Sequence, residues 1–223
     1  MIKGWHKLSL IDYPGHLCTT IFLGGCNFRC FYCHNSDIAF SPESSPDYSI
    51  EDILDYLEHR QNYIEGVCIS GGEPTIYCGL INLIEQIKSK GFKVKLDTNG
   101  TRPEVLWDII RYKLVDYIAM DIKAPRYKYC LLSGISKEYL DLDAIERSIE
   151  IVRKNRVDYE FRTTVIPEVL SMEDIILIGC WLSGSQKYVL QSYKGKYGCL
   201  AVDRLTQYAE MVSPHFQKVE VRA

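Results

Sequence analysis

Leu17-Cys18-Thr19-Thr20-Ile21-Phe22-Leu23 runs directly into Gly24-Gly25-Cys26-Asn27-Phe28-Arg29-Cys30-Phe31-Tyr32-Cys33-His34-Asn35. The first seven residues are apolar and β-branched enough for a buried strand. Gly24 and Gly25 let the backbone turn tightly after it. Cys26, Cys30 and Cys33, spaced Cys-x3-Cys-x2-Cys, then fall in one loop where all three thiols can face one centre. Three thiolates are one donor short of a saturated tetrahedral zinc site, and one short of a fully ligated four-iron cluster. A [4Fe-4S] cluster on this trio keeps one iron open to a small molecule. Two plainer readings stand beside it: a structural zinc completed by His34, or reduced thiols that ligate nothing. Against zinc, His34 directly adjoins Cys33, whereas neighbouring zinc ligands are usually separated by roughly two or more residues.

Outward from that stretch, apolar β-rich runs alternate with segments of helical periodicity. Strands are predicted near Leu17–Leu23, Gly66–Ser70, Lys93–Asp97, Asp116–Asp121, Tyr159–Val165, Tyr188–Gln191 and Lys218–Val221. Helices are predicted near Ile50–Tyr63, Leu80–Lys90, Pro103–Tyr112, Leu142–Asn155, Met172–Leu182 and Val202–Val212. Ser49, Thr101, Asp143 and Ser171 each precede an acid by three residues and read as helix caps. Strands alternating with helices imply a parallel sheet covered by helices. About six such units fit, against the roughly 250 residues of a full eight-unit barrel. The α/β fold is therefore an incomplete, open parallel β/α barrel or a doubly wound sheet, and residues 1–223 read as a single domain.

The chain has 223 residues, 26 Lys+Arg and 29 Asp+Glu, giving a net charge of −3, with 47% hydrophobic and 25% charged residues. Disorder is excluded, and the basic footprint of a nucleic-acid binder is missing. No apolar run approaches the roughly 18 residues of a membrane helix, and the first residues lack a signal-peptide core, so the expected location is cytoplasmic. Nine cysteines, an odd number, make a disulfide framework a poor explanation. Outside the loop, Cys18, Cys68, Cys78, Cys130, Cys180 and Cys199 form no second close-spaced set and read as small hydrophobes.

In such folds the chemistry sits beyond the carboxyl ends of the strands, and every polar motif falls there. Gly71-Gly72-Glu73-Pro74 follows the second predicted strand; its glycines admit a ligand to bare backbone, and Glu73 offers an acceptor for a cationic amine. Alone, it would be an ordinary strand-to-helix turn. Asp97-Thr98-Asn99-Gly100 ends the third strand; the helix starting near Pro103 rules out a hairpin, and Asp97 and Asn99 point to the rim. Asp121 and Lys123 share one face of the fourth strand, where an intrastrand ion pair is the plain alternative. Arg162 in the fifth strand needs an anionic partner if it faces the interior. Gln191, ending the sixth, reads as a satisfied rim amide.

Cys26-x3-Cys30-x2-Cys33, with aromatic Tyr32 before the third cysteine, resembles the signature of radical S-adenosylmethionine (SAM) enzymes. Ser9-Leu10-Ile11-Asp12-Tyr13-Pro14-Gly15 before the strand, and Tyr32-Cys33-His34-Asn35 after it, resemble the glycyl-radical-enzyme activating proteins, among them the activating protein of anaerobic ribonucleoside-triphosphate reductase. The similarity runs from about Lys3 to the C-terminus and is weaker beyond Asn155. The resemblance implies a [4Fe-4S] cluster on Cys26, Cys30 and Cys33, with SAM contacted by Tyr32, His34, Gly71, Gly72, Glu73, Asp97, Asn99, Asp121, Lys123 and Arg162. Gly71-Gly72-Glu73 would meet the methionyl amino group, and the SAM carboxylate or Asp121 would serve Arg162. A monovalent cation between Asp97 and Asp121 is a further implication. It also implies a glycyl radical enzyme as partner, anaerobic ribonucleoside-triphosphate reductase, and an electron donor such as flavodoxin or ferredoxin. No side chain need act as acid or base. One departure bears on the partner: many activating proteins carry Asp-Gly-Pro-Gly and then an arginine, where this chain has Asp12-Tyr13-Pro14-Gly15-His16-Leu17. A deazapurine-forming radical SAM enzyme and a zinc-stabilised binding module are the alternatives.

Overall fold

The computed structural model describes residues 2–154 and 157–223. Eight strands lie side by side in chain order: β1 (Ile2–Ser9), β2 (Cys18–Leu23), β3 (Gly66–Gly71), β4 (Lys93–Thr98), β5 (Tyr117–Asp121), β6 (Asp158–Val165), β7 (Ser185–Ser192) and β8 (Phe216–Arg222). β1 pairs antiparallel with β2, and every later neighbour pair is parallel. The helices are α1 (Ser36–Phe40), α2 (Ile50–Glu58), α3 (Leu80–Ser89), α4 (Pro103–Arg111), α5 (Tyr129–Ser133), α6 (Leu142–Lys154), α7 (Met172–Trp181) and α8 (Val202–Val212). Because strand order never reverses, right-handed crossovers place the helices on one face, and sheet twist curls the sheet into an arc. A doubly wound sheet requires such a reversal. β1 and β8 are the two edges and do not pair with each other, so the barrel is open.

All seven predicted strands and all six predicted helices are present, with shifted ends. α2 stops at Glu58 rather than Tyr63, because beyond Leu57 the residues His59–Tyr63 are all exposed and no apolar side faces the sheet. The predicted end of α6 at Asn155 lies outside the described residues. Ser49 and Ser171 cap α2 and α7, and in the latter the Ser171 N–H donates in return to the Asp174 carboxylate. Thr101 does not cap α4: its hydroxyl donates to Asn99 Oδ1 and accepts from Asn27. Nor does Asp143 cap α6; Asp141 accepts from the Ala144 N–H at 2.8 Å instead. The strand β1 was not expected, since Gly4 and the basic residues Lys3, His6 and Lys7 blur its alternation.

The parallel strands alternate faces with a period of two. Ile21, Leu23, Val67, Ile69, Val94, Leu96, Ile118 and Met120 are fully buried in one apolar core with the helices. The intervening residues line the barrel interior, and many are charged: Lys95, Asp97, Asp121, Glu160 and Arg162 are paired there. At the amino ends of the strands, Tyr13 is 2% exposed and packs with Cys18, Cys68 and Tyr117, closing that end. Asp12 accepts from the Thr20 hydroxyl at 2.6 Å beside it. The Asp12–Gly15 segment therefore plugs the barrel end opposite the cysteine loop. Cys18 and Cys68 belong to this plug, with burial pushing the Cys18 thiol up to about 11. Among the described residues no helix is long and apolar enough to cross a membrane.

Candidate functional site

The cysteine loop leaves β2 at the carboxyl end of the sheet, and Gly25 takes φ +87°, which a side chain would strain. Three bonds hold the loop: Gly25 N–H to the Ile38 carbonyl at 3.0 Å, Arg29 N–H to Ser133 at 2.7 Å, and Cys33 N–H to Cys30 at 3.1 Å. Cys26, Cys30 and Cys33 share one wall of a cavity of about 220 Å³, with Cys30 buried and the others half-buried. Burial pushes the Cys26 thiol up to about 12 and raises that of Cys30, to which Tyr32 lends a hydrogen bond. Metal ligation would keep such thiols ionised.

His34 does not join the cysteines. Its Nε2 lies 3.0 Å from the Lys194 carbonyl oxygen, and its ring stacks on Tyr193 at 5.2 Å and 9°. Among the described residues no group of three or more His, Cys, Asp and Glu is arranged to hold a single metal ion. Three soft sulfur donors on one wall, with the adjacent imidazole engaged elsewhere, fit a four-iron cluster bound through three irons better than a tetrahedral zinc.

The facing loop is stitched to this one. Gly72 N–H donates to the Leu23 carbonyl and Glu73 N–H to the Gly25 carbonyl, both at 2.8 Å, and Asn35 Nδ2 donates to the Gly71 carbonyl at 3.1 Å. Gly71 has φ +119°, and a Cβ there would overlap the Leu23 backbone. Glu73 is bonded within its own chain. It is 1% exposed and accepts from the Thr75 N–H at 3.0 Å, the Thr75 hydroxyl at 2.5 Å, the Thr98 hydroxyl at 2.7 Å and the Asn99 N–H at 2.6 Å. Four donors from its own chain engage the carboxylate, three on Oε1 and one on Oε2, so it braces the two loops at the edge of the cavity it lines. Burial raises its pKa despite these donors.

Asp97, Asn99, Asp121, Lys123 and Arg162 line the same cavity, as do Thr164 and Gln191. Arg162 Nε donates to Asp121 Oδ1 at 2.9 Å and its Nη1 to Asp97 Oδ2 at 3.2 Å, so one guanidinium bridges the two acids. Lys123 Nζ pairs with Asp121 at 3.0 Å, the intrastrand ion pair that the spacing allowed. Burial opposes ionisation of Asp121, yet Arg162 and Lys123 hold its carboxyl well below the usual range. Asn99 is tied locally, its amide donating to Asn27 Oδ1 at 2.9 Å and its Oδ1 accepting from Thr101. Sequence reasoning missed Ser70, Thr98 and Lys95. Ser70 donates to Asp97 at 3.2 Å, and buried Lys95 pairs with Asp97 from the same strand. For Lys95 the signal was its spacing two residues before Asp97, on the same face.

Residues 20–177 match the model of the radical SAM superfamily. A Methanocaldococcus jannaschii protein, "Putative glycyl-radical enzyme activating enzyme MJ1227", is 36% identical over 198 residues, covering 88% of this chain and 81% of the relative. The pyruvate formate-lyase-activating enzyme of Clostridium pasteurianum is 31% identical over 153 residues, 65% of this chain and 63% of the relative. Among solved structures, QueE from Escherichia coli aligns with a TM-score of 0.59 and 18% identity, over 100% of this chain and 93% of the other. At that identity the likeness speaks to the fold alone.

Proposed function

Because the chain belongs to the radical SAM superfamily and to its glycyl-radical-enzyme activating family, we propose that it installs a glycyl radical on anaerobic ribonucleoside-triphosphate reductase. The observation that carries the reading is the cavity wall of three thiols, with a bare glycine backbone beside it and His34 turned to Lys194. Cys26, Cys30 and Cys33 would hold the cluster and leave one iron for the amine and carboxylate of SAM. When bound and reduced, the cluster supplies one electron that cleaves SAM to methionine and a 5′-deoxyadenosyl radical. The chain's own part is orientation and exclusion of water. Gly71 and Gly72 admit the ligand against backbone. Lys123 and Arg162, each shared with an acid, keep the polar wall fixed before SAM arrives. Hydrogen abstraction needs atoms about 3–3.5 Å apart, so a glycine loop of the partner has to enter this cavity, and the open barrel supplies the access.

Anaerobic reconstitution with iron and sulfide, then dithionite and SAM, tests the reading through release of 5′-deoxyadenosine. Addition of the reductase should then yield a glycine-centred doublet by electron paramagnetic resonance. Cys30→Ala is expected to abolish nucleoside release, and full activity in that variant overturns the cluster assignment. Nucleoside release with consumption of a small molecule, and no doublet on any protein, would move the reading to a small-molecule enzyme.

A further inference from the structure

Phe31 lies between two cluster cysteines in sequence but is not among the residues lining the cavity, and it is 39% exposed. Its ring meets Tyr32 at 5.2 Å and Tyr197 at 5.2 Å, both edge-on. Tyr197, itself 38% exposed, belongs to the segment that follows β7 and packs on the cysteine loop through Phe31. Tyr193 from the same segment stacks on His34. Lys194 and Lys196 flank these rings and are exposed, and Lys196 Nζ lies 4.9 Å from the centre of the Tyr197 ring. Residues 192–200 contain Lys194 and Lys196 but no Asp or Glu, in a chain whose net charge is −3.

We infer that this basic, aromatic face around Phe31 and Tyr197 docks an acidic one-electron carrier protein bearing a flavin or iron–sulfur centre near its surface. The inference rests on the functional reading above and names where its electron enters. Charge complementarity of this kind raises association rates by roughly 10- to 1,000-fold and depends on salt. Exposed aromatic rings suit the centre of such an interface. Phe31 directly follows Cys30 and stands two residues before Cys33, so a carrier seated on it stands close to the cluster. That approach is from outside the cavity, leaving the inner side free for SAM and the partner's glycine loop. In the transfer the carrier is oxidised by one electron and the cluster is reduced by one; no bond or proton changes hands.

The test uses the reconstituted full chain and the Lys194→Glu/Lys196→Glu variant. Purified flavodoxin hydroquinone serves as the acidic carrier, and stopped-flow bleaching of the cluster absorbance follows reduction. The variant is expected to be reduced by flavodoxin about tenfold or more slowly at low salt and to lose the salt dependence. Its reduction by dithionite, and its dithionite-driven nucleoside release, should be unchanged. Carbodiimide cross-linking to flavodoxin should map to Lys194 or Lys196. Equal flavodoxin rates in both proteins overturn the proposal, as does equal slowing with dithionite, which would mark a structural defect. Loss of the glycyl doublet with dithionite, at normal nucleoside release and flavodoxin rates, would assign the face to the radical-accepting partner. Failure of the wild-type chain to release nucleoside with dithionite sinks the functional reading instead.

Discussion

Gly72 and Gly25 meet so closely that a Cβ on Gly72 would overlap the Gly25 carbonyl oxygen, which also accepts the Glu73 N–H at 2.8 Å. The loop predicted to meet SAM and the loop that carries the cysteines are thus one mechanical unit. Gly72→Ala cannot act on SAM alone. Overpacking of this kind costs about 1–3 kcal/mol, and here it pushes on the residue next to Cys26. The variant is expected to retain less iron after desalting as well as to bind SAM more weakly. Unchanged iron with weakened SAM binding would show that the two loops move independently.

Glu73→Gln separates a brace from an amine ligand. Hydrogen bonds to a charged group contribute about 1.5–3 kcal/mol each, and an amide places its NH₂ against donors. The expected result is a lowered melting temperature in the apo chain. A carboxylate whose task is to hold the SAM amine would instead leave apo stability unchanged and lower only affinity, measured by equilibrium dialysis.

Arg162→Lys keeps the charge but loses the fork that spans Asp121 and Asp97. Losing one charge-assisted bond, about 1.5–3 kcal/mol, is expected to weaken SAM binding on the order of tenfold or more. Iron content should be unchanged. Wild-type affinity in this variant would show that the bridge does not shape the site.

Glu160 gives the pH dependence. Its side chain is fully buried and accepts from both guanidinium nitrogens of Arg222, at 2.7 and 2.6 Å, and from Tyr117 at 2.9 Å. Burial would raise its pKa, but the Arg222 hydrogen bonds and the charges of Arg162, Arg222 and Lys187 bring it from 4.5 to about 2. A depressed carboxylate stabilises the fold fully above its unfolded value and loses that contribution as pH falls toward the folded one. Glu160→Gln removes the buried charge and leaves Arg222 and Lys187 only Glu220 as an acidic partner, and losing a charge-assisted bond of this kind should cost about 1.5–3 kcal/mol at neutral pH. In urea titrations the gap from wild type should narrow between pH 4.5 and about 2. A gap that stays constant across that window would refute the assignment.

How far the sequence could be read follows from the range over which each signal acts. Cys26, Cys30 and Cys33 lie in one turn of loop, so their convergence is local. The strand and helix positions follow from periodicities of 2 and 3.6, which need no tertiary partner to be seen. Ser49 and Ser171 were legible as caps because a cap acts over three residues. Tertiary structure was needed wherever a residue's partner comes from a distant strand or loop. Glu73 could be seen to be an acceptor, but its donors include Thr98 at the end of β4 and Asn99 just beyond it. Arg162 plainly needed an anion, yet the register of β5 with β6 was what set Asp121 opposite it, and Asp97 one strand further. The Asp12–Gly15 segment matched a motif by its order, and only the antiparallel β1 put it at the far end of the barrel. Composition and spacing determined which chemistry the chain carries; burial and register, set by residues far apart in sequence, decided which of those groups face a ligand and which hold the others in place.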